Sequence, residues 1–500
     1  MAGNRSRVMD MTQGKPAGLL LRFMIPLVIG NLFQQVYSMV DTMIVGQTLG
    51  ADALAAVGAT GSLNFLFFSL CNGLSNGIGI LVSQAFGASR PNTVRRLITN
   101  AVYIMVTAAV IMGGLGYILS RPVLALLGTP ENILDRAVTY MQVSCLGIIA
   151  VSMYNCIAAI LRGVGDSKTP LYFLVLASIL NVFLDLFFIR NLGMGVGGAA
   201  LATIISQLLS ALGSLLYAVR HNTMFCLDRS LWKPQKQLII SCCRIGIPLA
   251  AQSSMIALSL VILQSVVNGF GSVVGTAFTA TSRIEILAQQ PFNSLFASLS
   301  TFTGQNIGAN RQDRVRQGFR QAVVIMLAFT AVLIPVFQFF GEGIIGWFVD
   351  AKDAADVIAY GAKGLRITSL FFAPLGMICV CRGILNGAGD GTYSVISGTS
   401  EMVGRVVFPK PLTMIPQIGM WGIWLGTALT WVLVAAASIL RYRSGVWQKK
   451  GSITRAADTV AAAQRPHNPL SFSSRANSGL PLPVTPSVRD GKQRQTARLP

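Results

Sequence analysis

The sequence predicts an all-α membrane protein of about twelve transmembrane helices, in two six-helix bundles related by a pseudo-two-fold axis along the membrane normal. Three observations carry that prediction. Of the 500 residues, 53% are hydrophobic and 11% charged, with mean hydropathy +0.61, which is too apolar for a water-soluble fold. Apolar runs separated by short polar joints recur along nearly the whole chain, roughly twelve by the ~20-residue criterion, and they lack the alternation of a spanning barrel. Finally, the second half repeats the first. Ser83-Gln-Ala-Phe-Gly-Ala-Ser-Arg90 is echoed by Gly304-Gln-Asn-Ile-Gly-Ala-Asn-Arg311, and Leu161-Arg-Gly-Val-Gly-Asp166 by Leu385-Asn-Gly-Ala-Gly-Asp390. The offsets are 305 − 84 = 221 and 390 − 166 = 224, and Pro26 and Pro248 are 222 apart. Six spans per copy is an even number, so both copies enter the membrane in the same direction.

In chain order, the first span, Ile25 to Gly46, holds Pro26 near its start and places Gln34, Tyr37, Ser38 and Asp41 at i, i+3, i+4 and i+7, hence on one helix face. A carboxylate there is costly. Asp41 lies near the span's end, but its side chain is too short to reach far toward headgroup water, and an ionisable residue in such a segment points to a cavity and a bound partner. After the second span come Arg90, Arg95 and Arg96; Arg220, Arg229, Lys233, Lys236 and Arg244 surround the joint after the sixth; Arg311, Arg314, Arg316 and Arg320 follow the eighth. The intervening joints are poor in Lys and Arg, and Gly341 to Asp356 carries Glu342, Asp350, Asp353 and Asp356 against Lys352. The basic joints should therefore be cytoplasmic, with both termini inside and the chain in the plasma membrane. The net charge of +21 is spread through these joints, so topology explains it and no nucleic-acid partner is expected.

The fourth span contributes Asn155. The fifth, Leu171 to Arg190, carries Asn181 and Asp185 at i, i+4, a second intramembrane carboxylate on one face with an amide, and the sixth adds Thr203. Asp41 and Asp185 each fall about five residues before the outer end of their span, roughly 7 to 8 Å deep, and Thr203 reaches a similar level. The second half does not repeat this set: Arg405 and Pro409 stand at the positions of Asn181 and Asp185, and Leu263 at that of Asp41. Two carboxylates close together in low dielectric should share a proton or hold a small cation, which is the chemistry of a coupled transporter. Gln34, Tyr37 and Asn155 are candidates for lining the substrate cleft.

Residues 1–220 form the expected amino-terminal lobe, 221–237 a cytoplasmic loop between lobes, 238–444 the carboxyl-terminal lobe, and 445–500 a disordered basic tail rich in Ser, Pro, Arg and Gln. In the second lobe Glu401 and Arg405 are i, i+4 and can pair, whereas Arg283 and Glu285 need partners elsewhere. The eight cysteines lie in apolar spans or at a cytoplasmic joint and imply no disulfides. The Gly-x-Gly-Asp of Gly163 to Asp166 and Gly387 to Asp390 matches a motif of intramembrane aspartyl proteases. Both copies fall in connectors at one position of a repeat, and they read as turns. His221 and His467 lie outside the spans, and no metal or nucleotide motif is present, so neither enzyme activity nor a cofactor or metal is expected.

Over about residues 15 to 445 the chain resembles the multidrug and toxic compound extrusion (MATE) transporters, on Gln34-Gln-Val-Tyr-Ser-Met-Val-Asp41 with Gly46, Gln84-Ala-Phe-Gly87, Leu161-Arg-Gly-Val-Gly-Asp166 and their second-half counterparts. The likeness is nearest to the DinF-like branch. That resemblance implies cation coupling at Asp41, Asn181, Asp185 and Thr203, and a hinge at Pro26. The NorM-like branch uses acids in the seventh and tenth helices, and Ile239 to Gly269 and Tyr360 to Ile384 contain none. The implied activity is export of organic cations or amphipathic drugs in exchange for H⁺ or Na⁺ by alternating access, by a monomer in contact with membrane lipid. The alternative is a lipid-linked oligosaccharide flippase of the same wider superfamily, whose anionic head would require a basic cavity. An acidic amino-terminal cleft is expected to favour the exporter.

Overall fold

A computed structural model describes residues 8–347 and 354–449. Asp350, Lys352 and Asp353 of the acidic joint, and the tail from residue 450 onward, lie outside the described residues. Among the described residues, sixteen α-helices build twelve membrane segments. In the first lobe these are α1 (Pro16–Leu49), α2 (Ala51–Gly87), α3 (Pro91–Leu126), α4 (Glu131–Leu146) with α5 (Ile148–Gly163), α6 (Lys168–Leu186) and α7 (Gly195–His221). The second lobe has α8 (Lys236–Asn268), α9 (Ser272–Ala288) with α10 (Gln290–Gly308), α11 (Gln312–Gly346), α12 (Ala354–Ser369) with α13 (Phe372–Gly387), α14 (Gly391–Val407) with the short α15 (Pro409–Thr413), and α16 (Gly422–Arg443).

Eight of these segments are single helices long and apolar enough to cross a bilayer, and two more are bent pairs, α4/α5 by 48° and α12/α13 by 52°. The remaining two, α9/α10 and α14/α15, are interrupted near their charged residues, Arg283 and Glu285 in one and Glu401 and Arg405 in the other. Corresponding bends in corresponding segments are the backbone counterpart of the sequence repeat. So are Ser89 (φ 54°) and Asn310 (φ 56°), non-glycine residues in left-handed conformation 310 − 89 = 221 apart. The Gly-x-Gly-Asp copies are turns: Gly165 and Gly389 have φ of 93° and 80°. Asp166 accepts the Thr169 N–H at 3.0 Å, and Asp390 pairs with Arg441 at 2.8 Å.

The lobes meet chiefly through α2, which packs on α8 and α10. At the end bearing the basic joints the contact is reciprocal. A Cβ on Gly87 would collide with the Gln305 carbonyl, and one on Gly308 with the Gln84 carbonyl, so each Gln-x-x-Gly turn seats the other. The buried side chains cross as well: Gln84 Nε2 donates to Gly387 O (3.0 Å) and Gln305 Nε2 to Gly163 O (3.2 Å). The segment before α1 lies across the same junction. Met9 N–H donates to Gly165 O of the first lobe (3.1 Å), while Met11 N–H donates to Gln305 Oε1 of the second (2.8 Å).

Helix α1 belongs to both lobes. Its first half packs Leu20, Phe23 and Met24 against Phe292, Leu295 and Leu299, and Leu20 O accepts the Ser298 hydroxyl. Its second half lies on α6 and α7. Pro26 is buried within this one continuous helix, near the changeover. Packed structure also runs past the expected lobe end at residue 444: Val446–Lys449 forms a turn of 3₁₀ helix whose Trp447, 1% exposed, stacks on Tyr442. An aromatic anchor thus holds residues that composition alone assigns to the tail.

Candidate functional site

Two polar sites occupy different places in the bundle. The first lies within the amino-terminal lobe and gathers Asp41 and Tyr37 from α1, Asn181 and Asp185 from α6, and Thr203 from α7. Asp185 and Asn181 are buried and Asp41 is half-buried. The helical i, i+4 spacing sets Asn181 beside Asp185. With its amide turned to satisfy both ends, Asn181 donates to Asp185 Oδ2 (3.0 Å) and accepts the Thr203 N–H (3.3 Å). The Tyr37 hydroxyl reaches the Thr203 side chain. The carboxyls of Asp41 and Asp185 meet in this low-dielectric pocket, where two charged carboxylates side by side are costly and a shared proton or a cation relieves them. Each keeps a buried Oδ1 with no hydrogen-bond partner. A five-residue π-helical stretch, Phe187–Asn191, follows Asp185 directly; such local widening is common beside functional groups.

The cluster is all oxygen and net acidic. It can hold a proton, or a hard monovalent cation in the same place, since carboxylate, amide, hydroxyl and phenol oxygens suit both. Tyr140 of α4 faces the same carboxylates and was not flagged by the sequence, because a lone tyrosine in a membrane helix has no spacing that separates it from an interfacial anchor.

The second site is a cavity of about 410 Å³ between the lobes, lined from α1, α2, α5, α8, α10 and α13. Gln34 and Asn155 lie on its wall, with Asn31, Asn76, Gln252, Asn293 and Asn386. Tyr37, expected there, instead belongs to the carboxylate cluster. Neither Asp41 nor Asp185 lines the cavity: its charged lining residues are Arg162 and Arg382. The expected acidic cleft is thus absent from this cavity, since the fold directs the carboxylates into the interior of one lobe and the arginines into the space between lobes. Arg382 carries the same sequence signal as Asp41, a charge inside an apolar run, but a search for paired carboxylates passes over it. Arg162 reads as part of the turn that follows it.

Behind the cavity, Glu401 pairs with Arg405 at 3.0 Å, as their spacing suggests, and stands 3.7 Å from Arg382. Glu285 accepts from the Thr368 hydroxyl, and Arg283 is exposed beside a separate surface cleft.

The family model for MatE matches the chain twice, over residues 26–187 and 248–409, at the 222-residue offset of the two prolines. A probable multidrug resistance protein from Bacillus subtilis, YpnP, is 30% identical over 442 residues, covering 88% of this chain and 97% of that protein. A crystal structure of MATE in complex with MaL6 superposes with a TM-score of 0.83 at 22% identity, over 89% of this chain and 100% of that one. The outward-facing conformation of a multidrug resistance MATE family transporter superposes at 0.80 and 23%, over 89% and 100%. Duplicated bundle, family model and full-length relatives agree: the chain is a multi-pass membrane transporter, not an enzyme, and it belongs to the MatE family.

Proposed function

We propose that this chain is a secondary active exporter of amphipathic, drug-sized molecules, driven by H⁺ or Na⁺ entering at Asp41, Asn181, Asp185 and Thr203. The observation that carries the proposal is the meeting of two carboxyl groups, Asp41 and Asp185, inside one lobe, with Oδ1 of each lacking a hydrogen-bond partner among the described residues. Such a site gains most from a cation, and occupancy changes its charge. Helix α1 converts that change into motion: Asp41 sits on the half packed in the first lobe, and the other half is fixed to the second, with Pro26 as the hinge between them. The junction of the Gln84 and Gln305 turns closes one end of the central cavity, so cargo and ion exchange at opposite faces in alternation.

The name of the Bacillus subtilis relative, a probable multidrug resistance protein, supports the cargo class. The basic joints support a reading with both termini on the cytoplasmic side of the plasma membrane. The lipid-linked oligosaccharide flippase remains the second reading, and Arg162 and Arg382 favour it more than the expected acidic cleft does.

The test is dye export from proteoliposomes under an imposed pH gradient or an imposed Na⁺ gradient, comparing wild type with Asp41→Asn. Transport driven by one gradient and abolished in the variant supports antiport and names the ion. Transport that ignores both gradients, or survives the substitution, sinks the proposal.

A further inference from the structure

The central cavity has the wrong polarity for a simple organic cation. Its lining includes Arg162 and Arg382 and, among the described residues, no Asp or Glu. Arg162 makes no ion pair among the described residues. Arg382 donates to the Ser397 hydroxyl at 3.3 Å and has as its ion-pair partner a share in Glu401, at 3.7 Å, a carboxylate that lies closer to Arg405, at 3.0 Å. Glu285 also acts electrostatically on Arg405, but neither glutamate lines the cavity.

A second observation points the same way. Three nitrogens on cavity-lining residues, each just behind the cavity surface, have no hydrogen-bond partner among the described residues: Arg382 Nε, Gln252 Nε2 and Asn386 Nδ2. All three are donors, whereas the orphaned atoms of the carboxylate cluster, Asp41 Oδ1 and Asp185 Oδ1, are acceptors. A buried polar group without a partner is costly, so each site is complementary to what it lacks. The cluster lacks a proton or cation; the cavity lacks acceptors and negative charge.

We infer that the central cavity binds the anionic group of its cargo, a phosphate or carboxylate on a drug-sized amphiphile, between Arg162 and Arg382. The volume, about 410 Å³, is in the range of cavities that hold such ligands. The forked donors of arginine match phosphate and carboxylate oxygens in pairs. The inference deepens the exporter reading by naming its cargo class, and rests on that reading only for the direction of movement.

The test uses the full chain in nanodiscs and a matched pair of fluorescent probes, flavin mononucleotide and riboflavin, which differ by one phosphate. Wild type should prefer the phosphorylated probe about tenfold or more, and rising NaCl should erode that preference. Arg162→Gln and Arg382→Gln should each bring the ratio of dissociation constants close to one, and the corresponding Lys variants should fall between. Because the readout is a ratio within one sample, partial loss of folded protein does not mimic the effect, and the salt dependence needs no variant. A lysophospholipid with an anionic headgroup that competes with flavin mononucleotide, when a zwitterionic one does not, assigns the anion to a lipid; failure of both to compete assigns it to a soluble molecule.

A wild-type ratio near one overturns the inference. Preference for the phosphorylated probe without ion-driven transport leaves the cavity assignment standing and overturns the antiport reading. Ion-driven export of rhodamine 6G with a ratio near one does the reverse.

Discussion

Gln305→Leu tests whether the two Gln-x-x-Gly turns hold one end of the transporter shut. The substitution keeps most of the side-chain volume and removes two hydrogen bonds, Nε2 to Gly163 O at 3.2 Å and Met11 N–H to Oε1 at 2.8 Å. Each bond is worth about 1 kcal/mol net, and stranding its buried partner raises the cost, so the closed junction should lose roughly 2 to 4 kcal/mol. Where the lobes separate, water can reach the same groups, and the open arrangement should lose little. The equilibrium should therefore move toward separation by roughly 30- to 800-fold. Spin labels at Lys168 and Gln317, exposed positions near that end in different lobes, report the change by pulsed dipolar spectroscopy after the two cysteines that are not buried, Cys226 and Cys243, are replaced. A new, longer distance population is expected. An unchanged distribution in a folded variant refutes the argument that these bonds hold the junction.

Other outcomes follow from the same geometry. Gly87→Val should block closure sterically, because its side chain would meet the Gln305 backbone; transport should fall at least tenfold while helicity by circular dichroism stays at the wild-type level. Glu401→Gln strands Arg405 and Arg382, whose side chains are 8% and 19% exposed, and should cost about 2 to 4 kcal/mol, read as a lower unfolding temperature in detergent; a Glu401→Leu, Arg405→Met double variant should recover the part due to Arg405 and leave the part due to Arg382. Trp447→Ala removes a side chain that is 1% exposed and stacked on Tyr442, and should lower stability by roughly 3 kcal/mol in chemical unfolding, although composition assigns it to a tail. Pro26→Ala returns a backbone donor to α1 and should slow the transport cycle without lowering the unfolding temperature, as a comparison of initial rates at saturating dye will report.

The fold is largely written in hydropathy and in the internal repeat. Span lengths, the lobe boundary near residue 221 and the turns at Gly165 and Gly389 need only local information: apolar runs, helix stops and residues that accept positive φ. The meeting of Asp41, Asn181, Asp185 and Thr203 was legible because each is an expensive residue at one inferred depth. Which space each charge faces was not. Asp41 and Arg382 look alike as charges in apolar helices, and only the packing sends one into a lobe and the other into the cavity between lobes. The role of Met9 and Met11 was equally hidden, because their backbone groups make the contacts and a polar amino-terminal stretch has no periodicity to read.

The bridge made by that stretch also dictates an order of assembly. Met11 bonds Gln305, 294 residues downstream, while Met9 bonds Gly165. At a synthesis rate of about 5 to 20 residues per second, the Met11 backbone waits roughly 15 to 60 s for its partner to be made. During that interval the first lobe can insert and pack while the foot of α1 stays undocked, so the second lobe arrives to find its anchoring surface still free. Biogenesis should therefore be sensitive to anything that occupies Met9 to Gly14 early, such as a rigid domain fused directly ahead of them, and tolerant of the same domain placed beyond Lys449.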